Sequence, residues 1–394
     1  MADIADIVVV GGGVHGASTA WHLAKRNAGK IVLIEKDAIA SGASGWSSAI
    51  VRMHYQLESL VKVTMYGREM YGDWENIVGV GESGFRKVGF LVLFPEDEIE
   101  HGHSVIKMQQ RLGIDARYIS RDEISQIEPR LSIEDVAAGA WEPNSGYADG
   151  STVANSFVAA ARSLGVEVRI GPEAVGLTIV DEKITGVETS EGMIHAGTVI
   201  VEAGFRTSAL LAHHGVDLPI VPVRHAIAVV KRTQDFGDIH PVVSDRVARA
   251  YYRPEAENLT LLGEHDPLRG PVDEEVEVTK LPQMDEQVSL MERFSRRFPG
   301  QDSASMMRGY TGVYDCSPDF QPAFGKVQAL DGLFVGAGFS GHGFKLSPGI
   351  GKIISDLVID GSTDMIDVSP FRIERFAEDD LLLGGEGYSN RSLA

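Results

Sequence analysis

Two glycine clusters and a few polar residues beside them carry the spacing that chemistry would need. Gly11-Gly12-Gly13-Val14-His15-Gly16 follows the pattern G-x-G-x-x-G, and Glu35 lies nineteen residues beyond Gly16. The glycines differ in what they allow. Gly11 permits a tight turn, Gly13 lets the backbone approach a pyrophosphate, and Gly16 lets helix and strand pack closely. Val14 and His15 would open a helix whose amide groups face the phosphates. Glu35 can accept hydrogen bonds from ribose hydroxyls and would repel a 2′-phosphate, which leaves NAD and FAD and disfavours NADP. The second cluster runs from Gly336 through Gly338, Phe339, Ser340, Gly341, His342, Gly343 and Phe344 to Lys345. It repeats the glycine pattern, yet its helix is expected to begin only near Ser347-Pro348, with Pro348 in the first turn. No strand ending in an acid follows at the right distance. It therefore reads as a glycine loop leading into a helix N-terminus, suited to negative charge developing on the pyrimidine edge of a reduced flavin.

Elements must exist to hold these clusters. Ile4–Val10 is apolar and β-branched, as a strand buried on both faces should be. Val14, Ala17, Trp21, Ala24 and Ala28 follow at helical spacing, Gly29 marks the end, and Ile31–Ile34 gives a second strand. Farther along, Phe85–Phe94 reads as strand and His101–Leu112 as helix. Trp141–Gly146 is rich in turn residues and reads as a crossing between domains. Ser151–Leu164 reads as a helix with Ser151 or Thr152 as its cap. Short strands are expected at Val166–Ile170, Ala174–Val180, Ile184–Thr189 and Thr198–Glu202, the last running into Ala203-Gly204. Strand-like runs recur at Val221–Val230, Leu259–Leu262 and Leu333–Val335, and Met284–Phe298 reads as a helix stopped by Pro299-Gly300. The fold class is α/β, in an α+β two-domain arrangement: a Rossmann-like nucleotide domain interrupted by a second domain.

Composition narrows the function classes. The chain has 394 residues, 43% hydrophobic and 23% charged, which is the composition of a globular protein. With 36 Lys and Arg against 56 Asp and Glu, the formal charge is −20, which argues against nucleic acid as a partner. One cysteine, Cys316, excludes an intramolecular disulfide and any cysteine-only metal site. The N-terminus lacks the basic and apolar regions of a signal peptide, and no run of residues reaches a membrane span, so a cytoplasmic protein is expected. His101, His103, His213 and His214 lack metal-ligand spacing, and no metal is expected. Asp273-Glu274-Glu275 reads as a solvated acidic turn.

The opening motif, Gly204 and above all GAGFSGHGFKLSPGIGKIISDLVIDG resemble the FAD-dependent amine and amino-acid oxidase superfamily, which is D-amino acid oxidase-like. Within it, GASGWSSAIVRMHY resembles monomeric sarcosine oxidase and relatives of the sarcosine oxidase β-subunit. The resemblance runs to about Gly361. It implies an FAD-binding domain over residues 1–85, 148–215 and 305–376, and an antiparallel-sheet substrate domain over 86–147 and 216–304. Residues 377–394 would form an acidic, glycine- and serine-rich tail.

By the same resemblance, Glu35 and Lys36 would hold the adenosine ribose. Ser41, Ser47 and Ser48 would sit by the pyrophosphate and flavin, Val175 would offer backbone to the adenine, and Gly341 to Lys345 would lie along the flavin. Arg52 and Lys345 would grip a substrate carboxylate, a role that suits a guanidinium. Tyr310, Tyr252 and His265 would complete the active site. Three positions depart from the pattern. The tethering cysteine of monomeric sarcosine oxidases falls at Arg308, eight residues from Cys316, so FAD is expected to be non-covalent. Their oxygen-activating lysine falls near Leu261, and an arginine preceding Arg52 is replaced by Ala49. The implied reaction is oxidation of the C–N bond of a small carboxylate-bearing amine, such as a sarcosine-like N-methyl or secondary amino acid. Hydride would pass to flavin N5, and O₂ or another acceptor would take the electrons. The alternatives are an FAD dehydrogenase of a cyclic amino acid or 2-hydroxy acid, and a flavin-binding subunit of an oligomer.

Overall fold

The computed structural model describes residues 3–256, 258–265 and 281–382. Asp273-Glu274-Glu275 and residues 383–394 of the tail lie outside the described residues. The β-branched runs at Ile7–Val10, Ile31–Glu35 and Thr198–Val201 are buried on both faces and form the centre of a six-stranded sheet. Its spatial order is Ala323–Lys326, Leu333–Ala337, Thr198–Val201, Ile7–Val10, Ile31–Glu35, Glu167–Ile170. Every pairing is parallel except that between the first two. Helices Val14–Lys25, Gly150–Ser163 and Gly343–Asp360 share one apolar core, which includes Trp21, Phe157 and Ile350. An antiparallel three-stranded sheet, Ala174–Val180, Lys183–Thr189 and Gly192–His195, belongs to a second core with Val8, Val32 and Val199.

The second domain is an eight-stranded sheet, antiparallel at every pairing but the one between Phe90–Phe94 and Val242–Asp245. At one edge lies Ser305–Cys316, paired along its length with Val221–Lys231. This strand, which begins at the expected boundary of 305, thus pairs within the larger sheet and not within the six-stranded one. Helix Met284–Arg297 buries Leu290 and Phe294 in that sheet's core with Tyr252. The helix after the crossing begins at Gly150, one residue before the expected start. Its cap is Asp149, whose Oδ1 accepts the Thr152 N–H at 2.7 Å. The tail is tied down as far as it is described. The buried pair Arg375–Asp319 closes at 2.9 Å, and the Leu382 N–H donates to the same carboxylate at 3.0 Å.

The largest departure from expectation lies at the second glycine cluster. The helix starts at Gly343 and carries Pro348 within it. Proline has no N–H for the carbonyl four residues back, which is that of Phe344. Two other donors replace it: Tyr71 Oη, from another helix, at 2.7 Å, and Ser347 Oγ, from the same turn, at 2.9 Å. Tyr71 sits on helix Glu58–Gly72, an element that local spacing did not reveal. One turn earlier on the same face is Gly67, where a Cβ would lie 2.6 Å from the Lys345 carbonyl oxygen. Glycine there lets the two helices meet backbone to backbone. Tyr71→Phe is expected to cost about 1 kcal/mol in denaturant unfolding. Adding Ser347→Ala should raise the loss to about 3 kcal/mol, because a buried carbonyl is then left without a donor.

Candidate active site

A cavity of about 670 Å³ runs between the two glycine clusters. One end is lined by Glu35, Lys36 and Val175, the middle by Gly11, Gly13, Val14, His15 and Gly204, and the far end by Ser48, His225, Gly312, Tyr314 and Phe344. Gly11 adopts φ +114°, and a Cβ at Gly16 would lie 2.0 Å from the Gly11 carbonyl oxygen, so only glycine closes this turn. Gly13 begins the first helix with no side-chain cap, and its amide end opens on the cavity. Ser44, which spacing alone does not single out within the small-residue stretch, accepts the Val14 N–H at 3.0 Å and sets the loop's height.

The predicted cofactor residues divide by what they touch. Glu35 accepts the Gly12 N–H at 2.8 Å and the Asp37 N–H at 2.9 Å, which fixes a carboxylate that keeps further acceptor capacity toward the cavity. Lys36 reaches across to Glu173 at 3.1 Å. Ser41 lines the cavity and its carbonyl holds the Trp46 indole N–H at 3.2 Å, while Ser47 Oγ accepts the Ala49 N–H at 3.0 Å. His15 stacks on Phe339 at 3.7 Å with neither ring nitrogen partnered, and burial depresses it to about 3, so it is neutral. Gly341 and Gly343 line the cavity. Gly338 does not; its φ of +69° turns the chain beneath, against Ile220. Phe344 lines the cavity, while His342 and Lys345 are buried and do not line it.

Those two residues belong to a buried polar group beyond the far end. Arg52 is 3% exposed, donates to the His54 carbonyl, and lies over the rings of Tyr55 at 4.4 Å and Phe90 at 5.7 Å. Its Nε has no partner. Lys345 is 5% exposed, and burial with Arg52 nearby pushes its ammonium well below the usual lysine range. Neither cation has a carboxylate partner among the described residues. His342 bonds Tyr55 Oη at 3.2 Å and is held neutral by burial, with Lys345 and Arg52 adding to the effect. His265 bonds Ser244 Oγ at 3.3 Å and is likewise kept neutral by burial and by Arg246.

The tyrosines need correcting. Tyr252 does not reach this region. It is buried among Phe294 and Phe298 on the opposite face of its strand, its oxygen 3.5 Å from Asp245. Successive residues of a strand face opposite ways, so the neighbour Tyr251 takes the position. Its Oη lies 2.7 Å from Ser48 Oγ and 3.1 Å from His225 Nε2. Tyr310 lies beside Trp46 at 5.7 Å, outside the cavity lining. Two and four residues on, along the same face, Gly312 and Tyr314 do line it, and His225 stacks on Tyr314 at 4.5 Å. His225 was missed because an alternating strand gives no sign of which histidine meets a ligand; burial depresses it to about 4. Glu142 was also missed. Fully buried, it accepts from the Met53 N–H at 3.0 Å, Ser145 Oγ at 2.6 Å and Gln109 Nε2 at 2.5 Å, and so fixes the chain beside Arg52. Cys316 is buried and lies outside the cavity lining. His214 accepts the Leu177 N–H at 2.9 Å, and the His103 ring lies tilted against Tyr118 at 4.2 Å.

A helix N-terminus at Gly13, glycine turns and the carboxylate of Glu35 along one long cavity suit a dinucleotide without a 2′-phosphate. The residues present therefore fit FAD, with a second helix N-terminus at Gly343 where its ring would end. Among the described residues no helix is long and apolar enough to cross a membrane.

Comparison with known proteins agrees. The family described as DAO, FAD dependent oxidoreductase, matches residues 6–357. The chain is 28% identical over 94% of its length to 4-methylaminobutanoate oxidase (formaldehyde-forming) of Paenarthrobacter nicotinovorans, covering 45% of that protein. It is 25% identical to sarcosine oxidase subunit beta of an Arthrobacter species, over 94% of this chain and 91% of that one. The chain thus spans under half the length of the first of these relatives. Among solved structures, L-proline dehydrogenase from P. horikoshii superposes with a TM-score of 0.88 at 27% identity, covering 97% of this chain and 100% of that one. With a cavity shaped for the dinucleotide and a family match across both domains, the chain belongs to the FAD dependent oxidoreductase family.

Proposed function

We propose that this chain oxidises the C–N bond of a small amine that carries a carboxylate, with a secondary or N-methyl amino acid as the leading substrate class. The observation that carries this reading is the pair Arg52 and Lys345, a buried guanidinium and a buried amine whose charge burial suppresses, beside the cofactor cavity and with no carboxylate partner among the described residues. Burying unpaired cations is costly, and an anionic substrate would supply the missing partner. Similarity to proteins named for 4-methylaminobutanoate and sarcosine supports the amine class.

Bound FAD supplies the two-electron acceptor. Arg52 offers a planar donor pair to the carboxylate, and Lys345 regains its proton as the anion arrives. Together they orient the carbon beside nitrogen toward the cavity, which is where proximity lowers the barrier. Burial holds the histidines His225, His265 and His342 neutral, so they add no positive charge against a substrate ammonium. Burial keeps Tyr251 protonated, and its hydroxyl links Ser48 at the cavity to His225. A second reading is dehydrogenation of a cyclic amino acid with an acceptor other than O₂. It is favoured by the likeness to L-proline dehydrogenase and by Leu261, a buried core residue near the position where oxygen-using relatives carry lysine.

Anaerobic stopped-flow absorbance against N-methyl, cyclic and primary amino acids and 2-hydroxy acids tests the proposal. Bleaching by one amine class is expected. Recovery in air indicates an oxidase, and bleaching that persists in air indicates the dehydrogenase. No bleaching of flavin-loaded chain by any of them overturns the carboxylate-clamp reading and favours a subunit that needs a partner.

Arg52→Ala and Lys345→Met are each expected to raise the half-saturating substrate concentration about 10- to 100-fold, the worth of a charge-assisted hydrogen bond, while leaving FAD bound.

Adjacent tyrosines give a sharper contrast. Tyr251→Phe should slow flavin reduction about tenfold, and Tyr252→Phe should leave it within about twofold of the parent. Equal effects would place the site on the wrong face of the sheet.

A further inference from the structure

FAD laid along the cavity with its ribose at Glu35 puts the flavin ring at the far end, where His225, Gly312 and Tyr314 line the wall. His225 lies on the long strand Val221–Lys231, in register with Gly312 on the edge strand. Its ring is fixed from two sides. Tyr314 stacks on it at 4.5 Å, and Nε2 lies 3.1 Å from Tyr251 Oη. Nδ1 makes no hydrogen bond among the described residues and, unlike both ring nitrogens of His15, is not sealed from the cavity.

Tyr251 reaches His225 across a glycine. Gly263 is its register partner on strand Leu259–Glu264, and a Cβ there would lie 2.2 Å from Tyr251 Cζ and 2.4 Å from Oη. Any side chain at 263 would lift the phenol off the sheet. On the other side of the hydroxyl is Ser48 Oγ at 2.7 Å, from the small-residue loop of the nucleotide domain. Ser48, Tyr251 and His225 thus form one hydrogen-bonded line that starts in one domain and ends in the other.

The direction of that line follows from acidity. A phenol is a stronger acid than an aliphatic hydroxyl, and an imidazole nitrogen is a better acceptor than a serine oxygen. Tyr251 therefore donates to Nε2 and accepts from Ser48. Burial depresses His225 to about 4, so the imidazole is neutral and carries a single N–H, which this ranking assigns to Nδ1. A donor then faces the ring end of the cavity.

We propose that His225 is a cofactor-facing donor: its Nδ1–H, oriented by Tyr251 and Ser48, hydrogen-bonds the flavin where negative charge gathers on reduction, and so makes bound FAD easier to reduce. Tyr251, Ser48 and Gly263 act through it as positioning residues. A donor aimed at developing charge in a water-poor site contributes more than the same bond in water. The role concerns the cofactor and is independent of which amine is oxidised.

The test measures the two-electron midpoint potential of FAD in the holoenzyme, by anaerobic equilibration with a reference dye and with no amine present. Tyr251→Phe removes the hydroxyl that sets the tautomer, and His225→Leu removes the donor. Each should make reduction of bound FAD about tenfold less favourable, a fall of about 30 mV. The double variant should fall no further than His225→Leu alone, because the two residues act in one line. Unchanged potentials, or shifts that add in the double variant, overturn the proposal. Gly263→Ala provides a second reading if His225→Leu does not hold FAD. It removes no polar group but displaces the phenol, so it should lower the potential as Tyr251→Phe does, and a parent-like value overturns the proposal equally.

Discussion

The carbonyl oxygen of Phe344 has no amide to accept from in its own helix, because residue 348 is proline. The site depends on how that omission is repaired. Tyr71 reaches over from helix Glu58–Gly72 to donate to it, and Gly67 on the same face lets the Lys345 carbonyl come within backbone distance. With the carbonyl satisfied, the helix can start at Gly343, five residues before the proline. That early start sorts the motif: Gly343 and Phe344 face the cofactor cavity, while Lys345 turns toward Arg52. A helix starting at Ser347 would leave Lys345 on a loop, free to reach solvent. The proline is thus accommodated by two donors, Ser347 from its own helix and Tyr71 from the helix packed against it.

Electrostatics in this chain run against its overall charge of −20. Around Arg52 the protein gathers buried side chains that lack counter-charges, and burial turns the titratable neighbours neutral instead of pairing them. His225 is held down to about 4, and His265 and His342 are held well below the ordinary histidine range. Glu142 is a buried carboxylate that reaches the backbone next to Arg52, at Met53. Its oxygens are spent on the Met53 amide, Ser145 and Gln109. The result is a region that is electropositive yet dry, where a small anion gains most from binding.

The two strands flanking the far end show how a sheet sorts its neighbours. In Ala250–Glu255, Tyr251 turns to Ser48 and His225 while Tyr252 turns into the aromatic core with Phe294. In Ser305–Cys316, Tyr310, Gly312 and Tyr314 share one face, and distance along the strand decides which of them meets the cavity. A motif names a strand and a residue type. It does not give the phase of the alternation or the height along the strand, and a shift of one residue exchanges the two faces.

Local physics made the nucleotide half of the protein legible in its residues. A buried β-branched strand, three spaced glycines, a helix and a second strand ending in Glu35 form a contiguous unit, and each glycine is required by an approach of backbone within that unit, as Gly16 against Gly11 shows. Those contacts are short in sequence, so spacing alone determines them. The rest was decided by packing between segments far apart in the chain. Ser44 caps a loop thirty residues before it, Tyr251 rather than Tyr252 meets Ser48, Pro348 sits inside a helix, and the Glu202 side chain packs against Gly336. Each depends on which partner arrives from another element. Burial, which sets the charge of Lys345, His225 and Glu202, exists only once those elements have closed around them.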